Sequence, residues 1–452
     1  MWFLIFATLF NSAAGQDDII NHIRVGSGGI YIGIMEVIMA GLLLYALAFG
    51  GNIARPYPNP KTRASLFIML TLFCTAIITA SIESFLHNVE PGLYLRAVRE
   101  FAAWPIYAFI GYRLLATPES AYRFMYVIVL AGTLTATMLL LNFGENTEHY
   151  EWTQDLNSLR SVQFIGPYAG MAAMVLIYSI ASGIKLLPTP VALPLACYCL
   201  MGQCAPLHRG EWMGMCFCAV GMFFLLPREK RVATAVKGVV VGILVLLAGL
   251  LTINFVTNVM HRDFGKIVQD RFDSMLPTER TNSKEGKAWD TRLDSITAEL
   301  SIWADNPILG GGFNIQDEMA LEGKIENWGA FNHNGWASVL CKSGIVGFIP
   351  SMMLLASLLF IGRKLAVSHV HPGTTMMGVF ACMCGIYLFS GILAGMVWTM
   401  RYGMLIATAC GMAYRCLNIQ EVLLMQKTAG DQTAEYPEFA DSDYQESVMQ
   451  AF

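Results

Sequence analysis

His333 stands between Asn332 and Asn334, just ahead of a stretch that runs into an apolar segment. Either asparagine can cap a helix, and an imidazole beside a helix N-terminus is held in its neutral form, which a general base requires. The competing reading is a histidine that serves only the fold. Upstream, residues 290–305 (DTRLDSITAELSIWAD) have helical periodicity, with Leu293, Ile296 and Leu300 as the apolar positions. At about 100° per residue, Glu299 and Trp303 each lie within about 20° of Arg292, so an arginine and an acid share a face. That pair is either an exposed ion pair of small consequence or a guanidinium held in place for a ligand. Pro307 ends the helix, and Gly310, Gly311 and Gly312 are expected to form a flexible turn.

The elements that must position these residues follow from composition. Of 452 residues, 55% are apolar and only 14% charged, with a mean hydropathy of +0.51. A soluble chain carries about a quarter charged residues. Soluble enzymes, nucleic-acid binders and disordered scaffolds are thereby excluded. Apolar segments near 30–49, 64–82, 97–115, 122–143, 162–184, 188–206, 211–227, 236–256, 344–362, 376–396 and 401–417 are each about long enough to cross a bilayer. Residues 2–14 read as a short first membrane helix in preference to a cleaved signal, because no positive region precedes them. The fold class is therefore all-α, a polytopic integral membrane protein of about 12 transmembrane helices with one large extracytoplasmic loop.

One set of short loops carries 14 basic residues and the alternate set six, which puts the first set and both termini in the cytoplasm. Four regions result: a bundle of about nine helices over 1–256, an outer loop over 257–343, further membrane helices over 344–417, and an acidic tail over 418–452 expected to be disordered. Within the loop, 257–292 holds seven basic and six acidic residues, and 293–343 two basic and seven acidic. No general basic patch exists for a polyanion, so any anion bound there must be met by individual arginines. The cysteine pairs Cys197/Cys199, Cys216/Cys218 and Cys382/Cys384 are spaced i, i+2, which points their sulfurs to different helix faces. They read as small buried residues.

Charge inside a membrane helix is costly enough to hint at function. Glu36, Arg99, Glu100, Arg209, Glu211 and Arg401 all fall at or just below the expected outer ends of their segments, and Arg160 just ahead of another. A pump or ion-coupled transporter should instead hold such groups near the midplane. The pattern favours a polar chamber open to the outside under the long loop. The alternative for each residue is an interfacial side chain reaching for water.

His333-Asn334, nine residues and then Gly344-Ile345-Val346-Gly347 resembles the H-N-x9-G-x-x-G pattern of the O-antigen ligase and O-antigen polymerase superfamily. Arg292 through Trp303 to Asn306-Pro307-Ile308-Leu309-Gly310-Gly311-Gly312 is similar to that family's approach to the histidine. His208-Arg209-Gly210-Glu211 resembles its S-R-G/A step, with His208 where a small residue is usual. The resemblance covers about residues 200–415 by motif. It implies a GT-C-like, metal-independent inverting glycosyltransferase of the bacterial inner membrane, with its active site facing the periplasm and no cofactor. Its donor would be a glycan on undecaprenyl diphosphate, and its acceptor a glycan or lipid A-core hydroxyl. Membrane lipids and polysaccharide-assembly proteins such as a chain-length regulator would be its partners, and nucleic acid would not. His333 maps onto the residue that activates the acceptor hydroxyl, and Arg209 and Arg292 onto those that hold the diphosphate. Arg99 and Arg401 are further candidates for the diphosphate or glycan, Glu211 and Glu299 for orienting the arginines, and Asn334 for supporting the histidine. Ligation, polymerisation and protein O-glycosylation share the motif, and a flippase without chemistry is the competing class. If Arg292 grips phosphate oxygens with its planar fork, Arg292→Lys should lose most transfer despite keeping the charge. Activity within about twofold of the parent, assayed with isolated lipid-linked donor, would count against diphosphate binding there.

Overall fold

The computed structural model describes residues 24–25, 32–53, 60–115, 117–153, 168–204, 209–235, 284–324, 334–394 and 400–430. The helices in these residues include α1 (Ile34–Ile53), α2 (Pro60–Leu86), α3 (Pro91–Leu114), α4 (Pro118–Thr153), α5 (Tyr168–Ser182), α6 (Thr189–Cys204), α7 (Arg209–Leu225), α8 (Lys284–Asp305), α9 (Ile315–Leu321), α10 (Gly335–Ser368), α11 (Pro372–Ala394) and α12 (Met400–Gly430). Residues 228–235 are also helical, and a minimal antiparallel ladder of β1 (Arg24–Val25) and β2 (Ile32–Gly33) lies just before α1. The ladder takes up the start of the segment expected at 30–49; apart from these four residues the regular structure described is helical, in line with the all-α class. The first apolar segment, the one near 236–256, and the tail beyond 430 lie outside the described residues.

Four helices open on proline, at Pro60, Pro91, Pro118 and Pro372. A first-turn N–H has no intrahelical acceptor, so proline costs no hydrogen bond there and supplies a helical φ. Thr62–Leu86, Pro118–Leu141, Gly335–Ser368 and Pro372–Ser390 are long and apolar enough to cross a membrane, and α5, α6 and parts of α1 and α7 are shorter apolar helices. The protein is thus a helical membrane protein.

Helix pairs close on small residues, as expected where lipid offers no hydrophobic drive to association and packing must supply it. On α12, a Cβ at Gly411 would fall 1.9 Å from the Ala108 carbonyl oxygen of α3, and one at Gly111 of α3 would fall 2.4 Å from the Thr408 oxygen. On α10 and α11, Gly362 and Gly378 approach each other in the same way. Gly403 rests against the Trp104 indole, so α3 and α12 run side by side in the same direction.

The ends of the helices fall into two groups. One gathers the C-terminal ends of α2, α6 and α11 and the N-terminal ends of α3, α5, α7, α10 and α12, and here called the motif face. At the opposite face Arg113 Nε donates to the Ala46 carbonyl, Lys230 Nζ to the Ser182 carbonyl, and Arg415 Nε to the Leu115 carbonyl, and Lys364 pairs with Glu421 at 3.3 Å. These belong to the basic set that the charge count separates from the other loops. α12 continues to Gly430, with Asn418 and Gln420 buried, so residues 418–430 extend this helix instead of opening a disordered tail.

Because the α3–α12 contact fixes the depth of Arg99 against Arg401, Gly411→Val tests it. Overpacking at this backbone contact should cost about 1–3 kcal/mol or more, read as a lower melting temperature in detergent. An unchanged melting temperature would show that the helices do not meet there.

Candidate active site

The site begins with a broken helix. α10 contains one residue in a non-helical conformation, Gly344, with φ 55° and ψ −155°. A side chain there is excluded twice over, by the backbone angle and because a Cβ would lie 2.3 Å from the Ile308 carbonyl oxygen. In an unbroken helix the amides of Ile345 and Val346 would donate to the carbonyls of Cys341 and Lys342. Here all four groups turn to the loop that follows α8. Ile345 N donates to the Pro307 oxygen (3.0 Å) and Val346 N to that of Ile308 (3.2 Å), while Gly311 N donates to the Cys341 oxygen (2.8 Å) and Gly312 N to that of Lys342 (3.1 Å). The loop is inserted into the break like a short strand.

The glycine run is therefore not the flexible turn its composition predicts. Gly310 and Gly312 have φ of 76° and 98°, and Cβ atoms there would fall 2.6 Å from Gly344 N and from Ser84 N. Beyond the run, Phe313 N donates to Ser84 Oγ at 2.6 Å, and the Phe313 ring packs on Tyr94 and Phe101 of α3. Asn314, left-handed at φ 56°, donates through Nδ2 to the Leu93 carbonyl at 2.8 Å. Ser84 and Asn314, which sequence reasoning passes over, thus fasten the loop to α2 and α3. A serine in an apolar helix gives no such signal, because its usual role is the bond back to the carbonyl four residues earlier that Ser84 also makes, to Ala80 at 2.7 Å.

α8 ends at Asp305, as Pro307 requires, but it buries a different face from the expected one. Ser295, Glu299 and Ile302 are buried, spaced i, i+4 and i+7, whereas Leu300 is 38% exposed. Ile302 packs with Val89, Ile315 and Cys341. Glu299 is fully enclosed, within electrostatic reach of Cys341 on α10. The reading of an exposed Arg–Glu pair is corrected for the acid: its helix faces the broken segment of α10. Arg292 lies on α8 seven residues earlier, with its side chain outside the described part.

Asn334 caps α10. Its Oδ1 accepts from Trp336 N and Ala337 N, both at 3.1 Å, so this side chain is engaged in the helix start. His333 itself lies outside the described residues, one position ahead of the cap. Arg209 is the first residue of α7, Glu211 lies in its first turn, and Arg401 is the second residue of α12; their side chains also lie outside the described part. Arg99 is half-buried on α3, which starts six residues before the expected 97, so the residue sits about 12 Å inside the helix by its rise. From the contact of Trp104 and Gly403, Arg99 lies about 1.4 turns and Arg401 about half a turn towards the same end. Arg99, Arg209, Glu211, Asn334 and Arg401 thus share the motif face, at helix starts or about two turns in, while Arg292 and Glu299 lie on α8, whose C-terminal end leads into the loop joined to α10. Among the described residues no three His, Cys, Asp or Glu side chains converge as metal ligands.

The docking of the loop gives a comparison of two substitutions. Gly323 also has a positive φ, 71°, but open space around its Cβ position. Gly323→Ala should cost about 1 kcal/mol, and Gly344→Ala several times that with loss of the inserted loop. Melting temperatures in detergent separate them, and equal losses would show that the Gly344 contact carries nothing.

Residues 194–352, about a third of the chain, match the family model described as O-antigen ligase. No curated protein matches the chain. The matched stretch holds the Arg209 step, α8, the inserted glycine loop and the histidine segment up to Gly347, and the chain accordingly carries an O-antigen ligase domain of the superfamily that its motifs resemble.

Proposed function

We propose that this protein is a glycosyltransferase that moves a polysaccharide or repeat unit from undecaprenyl diphosphate to a sugar hydroxyl, with His333 as the general base and Arg209 and Arg292 as the diphosphate clamp. The reading is carried by one observation: the helix capped immediately after His333 and the helix that bears Arg292 are joined backbone to backbone through the loop inserted at Gly344. The family match over the same residues supports it.

In the proposed reaction His333 takes the proton of the acceptor hydroxyl while the oxygen attacks the anomeric carbon from the face opposite the diphosphate. The new C–O bond forms as the bond to the diphosphate oxygen breaks, and undecaprenyl diphosphate leaves with the electron pair. Its departure needs charge neutralisation and no proton. An arginine fork meets phosphate oxygens bidentately and stays charged at any working pH, so the chain's own side chains can hold that charge. In a poorly hydrated site, losing one such donor costs about 10²–10³ in rate. Arg99 and Arg401 extend the positive lining, Glu211 and Glu299 orient guanidinium groups, and Asn334 fixes the backbone that presents His333.

The proposal includes the setting: about 12 spans, both termini in the cytoplasm, and the 257–343 segment in the periplasm of a bacterial inner membrane. The acceptor separates ligation to lipid A-core, polymerisation on another lipid-linked repeat and transfer to protein. Deleting the gene distinguishes the first two, since loss of polymer with single repeats remaining marks a polymerase and intact polymer left on the lipid carrier marks a ligase. The catalytic assignment is tested by His333→Ala, which should fold and reach the membrane while losing about 10²–10⁴ of transfer. Parental activity of that variant with purified lipid-linked donor would remove His333 from the mechanism.

A further inference from the structure

The carbonyl of Pro307 is shared. It accepts Ile345 N from the broken point of α10 at 3.0 Å and, at the same distance, the indole Nε1–H of Trp303 from the last turn of α8. Trp303 is four residues after the buried Glu299 and eleven after Arg292, about 40° from the first and about 20° from the second around the helix. The same turn is closed by Asn306 N donating to the Trp303 carbonyl (3.1 Å) and Gly310 N to the Asn306 carbonyl (2.8 Å). One carbonyl oxygen thus receives a hydrogen bond from α8, which carries Arg292, and from α10, which is capped immediately after His333 in sequence. The indole is half-buried at this junction and is not part of the main apolar core.

We propose that Trp303 is a positioning residue: its indole N–H, acting through the Pro307 carbonyl, sets α8 against the broken α10 and so sets Arg292 relative to His333. This deepens the proposed function and rests on it. A displacement of about 1 Å between reacting groups can cost on the order of 10² in rate, so the effect belongs on kcat and not on donor affinity. The residue needs no contact with substrate.

Two substitutions isolate the N–H. Trp303→Phe keeps an aromatic ring and removes the donor. Trp303→His keeps the five-membered ring with Nε2 where the indole nitrogen was, so its N–H can reach the same oxygen. The Phe variant should lose about 10–100-fold in kcat with KM for lipid-linked donor within about twofold, and the His variant should recover most of that loss. A role in folding alone would lower the yield of active protein equally in both variants and would give no recovery with His. A second readout needs no substrate: amide hydrogen exchange of the 306–312 peptide should quicken in the Phe variant and return towards parental rates in the His variant. Unchanged exchange in the Phe variant overturns the link through Pro307, and altered exchange with unchanged kcat overturns the positioning role. If the parent protein shows no transfer, the proposed function fails while exchange still decides the link. If His333→Ala is inactive but Trp303→Phe is fully active, only the present inference falls.

Discussion

A helix that breaks inside a membrane protein must find new partners for the backbone groups it releases, because hydrocarbon offers none and each unmet group costs several kcal/mol. The break at Gly344 releases two amides and two carbonyls, and the Pro307–Gly312 loop meets all four. This requirement explains the residue types on both sides. Glycine is needed at 344, where the Ile308 oxygen leaves no room for a Cβ, and at 310 and 312, where the chain is left-handed and pressed against α10 and α2. Each backbone bond adds only about 0.5–1.5 kcal/mol net. The larger consequence is geometric, since two segments far apart in sequence acquire a single register.

That register gives the motif its physical meaning. The spacing from His333 to Gly344 is the length of the short helical piece between its cap at Asn334 and the break. Residues up to Gly347 belong to the same device, since a Cβ at 347 would overlap Ser343 Oγ across the break. On the other strand of the device, α8 ends three residues before the loop turns in, and it buries a carboxylate where an apolar stripe would be expected. Burying Glu299 is unfavourable unless its charge is compensated. Its position on the helix of Arg292 is what a guanidinium-orienting acid needs.

Much of the scaffold was legible in the sequence because apolar run length is a strong signal in a membrane protein. The expected spans at 64–82, 188–206 and 376–396 correspond to α2, α6 and α11, with ends differing by a few residues where polar side chains such as Lys61 and Glu83 continue a helix past its apolar stretch. The stop of α8 was legible from Pro307 and a cap of α10 from the asparagines flanking His333, of which Asn334 makes the capping bonds. What was not legible depends on contacts distant in sequence. The span expected to start at 344 is really the second half of a helix that starts at 335, and composition cannot distinguish a helix start from a break. The glycine run looked flexible because the backbone that pins it lies on α2 and α10. The continuation of α12 to Gly430 was missed because its buried polar residues, Asn418 and Gln420, read as the start of a solvated tail. For the site, the sequence marked the residue types and the motif face, while the joining of α8 to α10 came only from the fold.

In the proposed reaction transfer is a single displacement in which the acceptor oxygen, freed by a base, attacks the anomeric carbon as the diphosphate leaves towards arginines. The measurement that tests this most directly is the anomeric configuration, by nuclear magnetic resonance, of the glycosidic bond formed by the purified protein from a donor of known configuration. The account predicts inversion at the transferred sugar. Retention would require a covalent glycosyl intermediate on the protein and would contradict it.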